Sequence, residues 1–142
     1  MNLNADFVNK LRNSGLRPTK QRLKICEVLF NTEKTFHFTI NYLSKIISEK
    51  LNEKISLATV YNTVHAFKKK GYLKEISING DKSYFDTNTT IHHHFYDEDK
   101  SELIDCETTD IYPININKNI TGKKINSVEV LIRVASDNQN QN

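Results

Sequence analysis

The sequence has few of the residues that mark disulfide-rich, thiolate-metal or membrane proteins. It contains two cysteines, two prolines, four glycines and no tryptophan among 142 residues. Because Cys26 and Cys106 are far apart and no Cys-x-x-Cys occurs, neither a disulfide framework nor a thiolate zinc knuckle is indicated. Without a long apolar run or the basic and apolar blocks of a signal peptide, we expect a cytoplasmic protein. Cys26 shares an apolar stripe with Leu23 and Phe30, which predicts a core position.

Charge is distributed unevenly along the chain. Residues 1–82 carry 15 Lys and Arg against 7 Asp and Glu, whereas residues 83–142 carry 5 against 10. A basic first part attracts a polyanion through counterion release, and phosphates would repel the acidic remainder. The pattern predicts two parts with different roles, of which the first binds nucleic acid. Lysines that merely solvate helix faces are the alternative interpretation.

The segment from Ser56 to Phe85 is typical of a helix followed by a tight hairpin. Ser56 is a suitable N-cap and Gly71 a suitable helix stop. The predicted apolar stripe comprises Leu57, Val60, Val64 and Phe67, and the predicted outward face comprises Thr59, Asn62 and Thr63. Asn79-Gly80 suits a type I′ turn between two strands. A capped helix whose polar side chains reach base edges, followed by a hairpin, indicates a winged helix that reads DNA.

Helical spacing and alternation predict the remaining elements. One helix is expected at residues 5–14, a second begins at Pro18-Thr19, and a third begins at the cap Thr39. Beyond a linker rich in Thr and Asn, alternation predicts a strand around Leu103 and a stronger strand at residues 128–134. So few strands cannot form a stable core alone, which predicts a homodimer whose sheets combine.

Residues 92–94 are three consecutive histidines out of five in the chain. Imidazoles suit zinc, iron and similar divalent ions. Because neighbouring side chains of a strand point in alternate directions, one ion is not expected to bind all three, so other residues must supply ligands. The obvious donors are His37, Asp86 and Asp105. A solvated histidine cluster is the alternative.

Five short motifs give the chain a resemblance to the ferric uptake regulator family from about residue 11 to residue 134. They are GLRPTKQR at 15–22, HFT at 37–39, SLATVYNT at 56–63, GDKSYFD at 80–86 and HHH at 92–94. The resemblance implies a dimeric transcription regulator with an α+β fold, in which an N-terminal winged helix-turn-helix domain precedes a small α/β dimerisation domain. It also implies a metal or haem effector that controls DNA affinity, Tyr61 in the major groove and Arg17 near the minor groove.

The chain departs from the family pattern in its metal ligands. The cysteine pairs that usually follow the histidines are absent, which excludes a four-cysteine structural zinc site. The family's hinge metal site corresponds, position by position, to His37, Asp86, His94 and Asp105. This correspondence implies one divalent Zn, Fe or Mn ion per chain, held by both domains, with His92 and His93 as candidate haem or second-site ligands. The histidine segment and the missing cysteines most resemble the iron response regulator branch, whose members respond to haem.

The resemblance, together with the charge pattern, implies a repressor of iron and haem homeostasis genes, responsive to metal or haem, that binds palindromic A/T-rich operators as a homodimer and is not an enzyme. The predicted DNA contacts are Arg17, Lys20, Ser56, Thr59, Tyr61, Asn62, Lys68 and Lys82. The predicted organisation is a winged-helix domain at 1–86, a linker at 87–91, a dimerisation and sensing domain at 92–136 and a disordered tail at 137–142. One alternative is a metal or haem carrier, which leaves the basic first part unexplained. Another is a metal-dependent hydrolase, for which the sequence has no His-Glu-x-x-His and no Gly-rich phosphate loop.

Overall fold

A computed structural model describes residues 3–138, and the chain divides into two units, Met1–Thr89 and Thr90–Asn142. The helices of the first unit are α1 Leu3–Asn13, α2 Lys20–Phe30, α3 Ile40–Leu51 and α4 Leu57–Lys70. Its strands are β1 His37–Phe38, β2 Lys74–Asn79 and β3 Lys82–Asp86, which form an antiparallel sheet in the order β1-β3-β2. The second unit contains β4 His93–Asp97, β5 Glu102–Cys106, a 3-10 turn Thr108–Asp110 and β6 Leu131–Val134. This content confirms the predicted α+β class. No helix within the described residues is long and apolar enough to cross a membrane.

Hydroxyl side chains determine where three helices begin. The side chains of Thr19, Thr39 and Ser56 each accept a hydrogen bond from the backbone N–H three residues later, at 3.2, 3.2 and 3.1 Å. Each bond satisfies one of the N–H groups that have no partner inside the helix. Gly71 ends α4 with a φ of 94°, a left-handed conformation that glycine adopts without steric cost. These caps confirm the predicted starts of α2, α3 and α4.

The core of the first unit forms around one face of α4. Val60, Val64 and Phe67 have no exposed surface, and the ring of Phe67 meets that of Phe30 edge-on at 5.4 Å. Their cluster also includes Leu11, Ile25, Cys26, Leu29, Leu43 and Ile47. The expected core position of Cys26 is therefore confirmed.

Two assignments on α4 are wrong. Thr63, expected to face outward, has no exposed surface, whereas Leu57, expected in the apolar stripe, is 53% exposed. Thr63 lies three residues after Val60 and four before Phe67, on the same helix face. Its hydroxyl donates to the carbonyl of Thr59 at 2.7 Å, which removes most of the cost of burying it. Leu57 belongs to the first turn and lines an open groove instead of the core.

The hairpin turn lies one residue later than predicted. Asn79 pairs with Lys82 in the β2–β3 ladder, so the turn residues are Gly80 and Asp81. Of these two only Gly80 has a positive φ, 35°. A positive φ at the first central position alone is the pattern of a type II′ turn, which replaces the type I′ turn expected at Asn79-Gly80. An irregularity between Ser77 and Asn79 shifts the register that the simple pattern assumed.

The second unit is built on one sheet in the order β5-β4-β6. β4 pairs with β5 antiparallel and with β6 parallel. The strand predicted at 128–134 is shorter, because β6 begins at Leu131. The N–H of Val130 donates to Nδ1 of His93 at 3.0 Å, whereas its carbonyl accepts a hydrogen bond from the N–H of His94 at 3.0 Å. Residues 139–142 of the predicted tail lie outside the described part of the chain.

Candidate functional site

The outer face of α4 presents polar side chains at its first two turns. Tyr61 is 52% exposed and Asn62 is exposed beside it. Ser56 and Thr59 face each other at the helix start, where their hydroxyl oxygens are 2.8 Å apart. Tyr61 and Asn62 therefore offer donor and acceptor surface on the helix, whereas the hydroxyl of Ser56 caps the helix and is bonded to the hydroxyl of Thr59.

Cations that were predicted to bind DNA lie at several places in the first unit. Arg17 and Lys20 are exposed at the start of α2, and the carbonyl of Arg17 accepts a hydrogen bond from Nη1 of Arg22 at 2.8 Å. Lys82 is half-buried on β3, next to the hairpin turn. Lys68 is exposed near the end of α4, but its Nζ lies 2.5 Å from Oε1 of Glu75. Arg17 and Lys20 are thus the most accessible of the four.

The ion pair with Glu75 changes what Lys68 can contribute. Partial burial acts to raise the pKa of the Glu75 carboxyl, but hydrogen bonds from Lys68 and Ser83 and the charges of Lys68 and His65 hold it below its usual value. Glu75 is therefore ionised at neutral pH and neutralises Lys68. Because the pair joins α4 to β2, Lys68 helps to attach the hairpin to the helix.

The first unit contains one cross-strand pair of a histidine and an aspartate. His37 on β1 lies directly opposite Asp86 on β3, with Nε2 and Oδ2 3.6 Å apart. Asp86 is only 1% exposed, and its Oδ1 accepts a hydrogen bond from the N–H of Asn88 at 2.8 Å. A buried carboxylate requires compensating charge or hydrogen bonds, and an imidazole at this distance is suited to share a cation with it.

The second unit contains a matching pair on its own sheet. His94 on β4 lies opposite Asp105 on β5, with Nε2 3.4 Å from Oδ1. Nε2 of His92 lies 3.4 Å from the same oxygen. Nδ1 of His92 is 2.7 Å from the carbonyl of Thr90, so Nδ1 donates to that carbonyl and Nε2 faces Asp105. A histidine oriented in this way by a backbone carbonyl is the usual arrangement of a metal ligand.

His93 faces away from this cluster. Its Nδ1 accepts a hydrogen bond from the N–H of Val130, so the ring joins the segment before β6 to β4. The three consecutive histidines therefore divide into a pair that faces Asp105 and one structural residue. Sequence reasoning assigned His92 together with His93 to a haem or second site and missed its place beside His94. The signal was available, since side chains two residues apart in extended chain share a face.

The donors are chemically suited to a divalent transition metal. The first unit offers one imidazole and one carboxylate, and the second offers two imidazoles and one carboxylate. Imidazole nitrogen suits zinc, iron and similar ions, and carboxylate oxygen suits manganese. Each of these two clusters has fewer than the four protein ligands of a closed structural site.

Neither cysteine is a reactive thiol. Burial raises the pKa of Cys26 to about 12, against a smaller lowering effect of Lys10. Burial and the charges of Asp110 and Glu107 also raise the pKa of Cys106, which is the last residue of β5. Because the thiolate is the species that reacts with oxidants, a raised pKa keeps both thiols in the less reactive protonated form near neutral pH.

Comparison with known proteins assigns residues 13–133 to a protein-family model described as the ferric uptake regulator family. The chain is 34% identical over 100 residues to the peroxide-responsive repressor of Staphylococcus epidermidis, a match that covers 70% of this chain and 65% of that protein. It is 33% identical over 102 residues to the peroxide-responsive repressor of Staphylococcus aureus, covering 72% and 67%. The chain thus spans about two thirds of the length of these relatives.

Solved structures share the fold at lower identity. The ferric uptake regulator from Pseudomonas aeruginosa with manganese aligns with a TM-score of 0.64 and 22% identity over 96% of this chain and 98% of that chain. The ferric uptake regulator of Vibrio cholerae aligns with a TM-score of 0.66 and 24% identity over 91% and 98%. The peroxide stress regulator of Campylobacter jejuni gives 0.59 and 21% over 98% of both chains.

Proposed function

The chain belongs to the ferric uptake regulator family, and on that premise we propose that it is a metal-responsive repressor that binds duplex DNA. The family consists of transcription regulators and not of enzymes. The observation that carries the proposal is that each unit holds a cross-strand pair of a histidine and an aspartate, His37 with Asp86 and His94 with Asp105. Such pairs suit a divalent metal whose binding alters the equilibrium between conformations of different DNA affinity.

DNA binding is proposed for the first unit. Tyr61 and Asn62 would contact base edges in the major groove, because they are exposed on a helix that precedes a hairpin. Arg17 and Lys20 would bind phosphates, and Lys82 on the hairpin would add a further contact. Ser56 and Thr59 would act mainly by capping α4, and Lys68 by binding Glu75. Palindromic, A/T-rich operators remain the proposed targets.

The metal is proposed to bind five residues of one chain. These are the four predicted ligands and one addition, and the full set is His37, Asp86, His92, His94 and Asp105. The addition of His92 rests on its Nε2, which faces the same Asp105 oxygen as that of His94. Three imidazoles and two carboxylates favour iron or manganese over ions that prefer thiolate ligands alone or oxygen ligands alone.

Peroxide is the proposed signal, because the relatives that match this chain are named peroxide-responsive repressors. Both cysteines are poor candidates for sensing it, since burial raises their pKa. The metal ligands are then the remaining candidates. Bound iron would supply the one-electron chemistry towards peroxide that zinc lacks.

Haem, and with it the iron response regulator branch, is the competing proposal for the effector. It is less well supported, because His92, His93 and His94 are each 5–6% exposed and each contacts a polar protein group. A haem ligand would have to give up such a contact. A Soret band on titration with haem would favour this branch.

A homodimer is proposed to form through the second unit. Its described residues form a sheet of three strands, too few for a stable core. Several large apolar side chains between β5 and β6 are exposed, namely Tyr112, Ile114, Ile116, Ile120 and Ile125. A partner copy would cover such a surface. The two units would then be the DNA-binding domain and the dimerisation and sensing domain, joined by the linker at 87–91, in a cytoplasmic protein.

The proposal is tested with protein purified without a histidine tag. Wild type is used to select a preferred duplex from a random library, and its affinity is then measured by anisotropy with Mn²⁺, Fe²⁺ or Zn²⁺, with chelator, and with peroxide added to each metal form. We expect metal to raise specific affinity and peroxide to lower it only in the iron form. Asp105→Asn should remove the metal response, whereas Glu102→Gln, an exposed carboxylate on the same strand, should keep it. Absence of any preferred sequence in every metal form would exclude the regulator function.

A further inference from the structure

An aromatic column links the outer face of α4 to the core of the first unit. The ring of Tyr61 lies 4.1 Å from the ring of His65, one helical turn later, at an interplanar angle of 37°. His65 meets the ring of Phe85 edge-on at 5.4 Å and 81°. Phe85 is 2% exposed and stacks on Phe38 at 5.9 Å. Since Tyr61 is 52% exposed, the column runs from the accessible face of α4 to a buried position on β3.

An open groove gives the ring of Tyr61 space to move. The groove has a volume of about 930 Å³ and lies between the start of α3, the first half of α4 and the hairpin. Tyr61 and His65 both line it, together with Ile40 and Leu57. An exposed side chain beside such a groove has more than one rotamer available. A base contact requires one orientation, so a side chain that is held in that orientation before binding loses less entropy when DNA binds.

His65 also connects α4 to the hairpin. Glu75 on β2 lies directly opposite Phe85 on β3, the residue whose ring His65 meets edge-on, and Glu75 and His65 line the same groove. The other charged groups around the imidazole are Lys68 on α4, which pairs with Glu75, and the groove residues Asp81 and Lys82. The imidazole is therefore held between elements of the first unit and is not a free surface side chain.

We infer that His65 is the positioning residue that holds Tyr61 in the orientation that reads a base, by packing between the rings of Tyr61 and Phe85. The inference rests on the proposed function, because it requires Tyr61 to contact DNA. Loss of one aromatic pair corresponds to roughly a three- to tenfold change in an equilibrium constant. Removing the His65 ring should therefore reduce discrimination between the selected duplex and a scrambled one by about three- to tenfold. Phosphate contacts do not pass through this column, so the salt dependence should stay the same.

The experiment measures discrimination with the metal-loaded full chain, using the duplex selected by wild type and its scrambled counterpart. His65→Ala should lose discrimination, and His65→Phe, which keeps an aromatic ring, should recover most of it. In a Tyr61→Ala background His65→Ala should have no further effect, since its action passes through Tyr61. Val64→Ala removes buried side-chain volume from the neighbouring position on α4 and controls for lower stability, with discrimination unchanged.

The outcomes separate the inference from the function on which it rests. If Tyr61→Ala leaves discrimination unchanged, Tyr61 does not read bases and the proposed contact fails together with the inference. If Tyr61→Ala lowers discrimination but His65→Ala does not, or His65→Ala acts equally in both backgrounds, only the positioning role is overturned. If His65→Phe loses as much discrimination as His65→Ala, ring packing is not what holds Tyr61 in place, and the positioning role is likewise overturned.

Discussion

Replacement of Asp86 by asparagine tests the metal site without removing side-chain volume. Asp86 is 1% exposed, and its two oxygens face Nε2 of His37 and the N–H of Asn88. Asparagine keeps an acceptor for Asn88 and removes a buried negative charge. The metal-free variant should therefore be at least as stable as metal-free wild type, because it avoids the desolvation cost of burying a carboxylate charge.

The metal-dependent part of the stability can be worked out from linkage. A ligand at 100 times its dissociation constant stabilises the native state by about 2.7 kcal/mol, which corresponds to roughly 10–20 °C in Tm for a domain of this size. If the loss of one ligand weakens metal binding by about 100-fold, the stabilisation by metal at the same free metal concentration falls to about 0.4 kcal/mol, or roughly 2–3 °C in Tm. The variant should thus lose most of the metal-dependent increase in Tm.

Calorimetry at fixed free Mn²⁺, with and without chelator, measures both quantities. Asp81→Asn is the matched control, because Asp81 is an exposed carboxylate of the same unit and its replacement should leave the full metal-dependent increase. If the metal-dependent increase in Tm of Asp86→Asn is as large as that of wild type, the assignment of Asp86 as a ligand is refuted. A large loss of stability in the metal-free variant would show instead that the carboxylate has a structural role.

Four further predictions concern the charges, the exposed surface and the two thiols. Because the ion pair already neutralises Lys68, Lys68→Ala should lower the slope of log affinity against log salt by clearly less than about 0.9, the value for one phosphate contact. Glu75→Gln should steepen that slope by up to about 0.9. A decrease of about 0.9 in Lys68→Ala would contradict this prediction. Ile120→Glu, at a side chain that is 69% exposed, should yield monomer by sedimentation and lower the stability of the second unit, because no partner copy then completes its core; a variant that stays dimeric would place the interface elsewhere. Both Cys26 and Cys106 should resist alkylation in native protein, and peroxide should leave the thiol content measured after denaturation unchanged. Because burial raises the pKa of Cys26 from 9.0 to about 12, its contribution to stability is present below pH 9 and is lost as pH rises towards 12, so urea unfolding of Cys26→Ala should show a shallower decline in that range.

Local sequence was sufficient for the features that depend on neighbouring residues. The starts of α2, α3 and α4 follow from Thr19, Thr39 and Ser56, each of which binds a backbone N–H only three residues away. The end of α4 at Gly71 follows equally from one residue in a left-handed conformation. The family motifs were also recognisable, and through them His37, Asp86, His94 and Asp105 were predicted as metal ligands. The structure adds that these residues lie in two cross-strand pairs, His37 with Asp86 and His94 with Asp105.

Features that depend on partners distant in sequence needed the folded chain. Alternation along an extended chain places His92 and His94 on one face and His93 on the other, but the partners of the two faces depend on the fold: His92 faces Asp105, and His93 accepts a hydrogen bond from Val130, 37 residues away. The sequence predicts that Lys68 binds phosphate, but in the structure Glu75 on β2 lies 2.5 Å from the ammonium group of Lys68. Such pairings depend on strand register and on which helix face is covered. A single residue type constrains neither, because both arise from the packing of segments that are far apart in the chain.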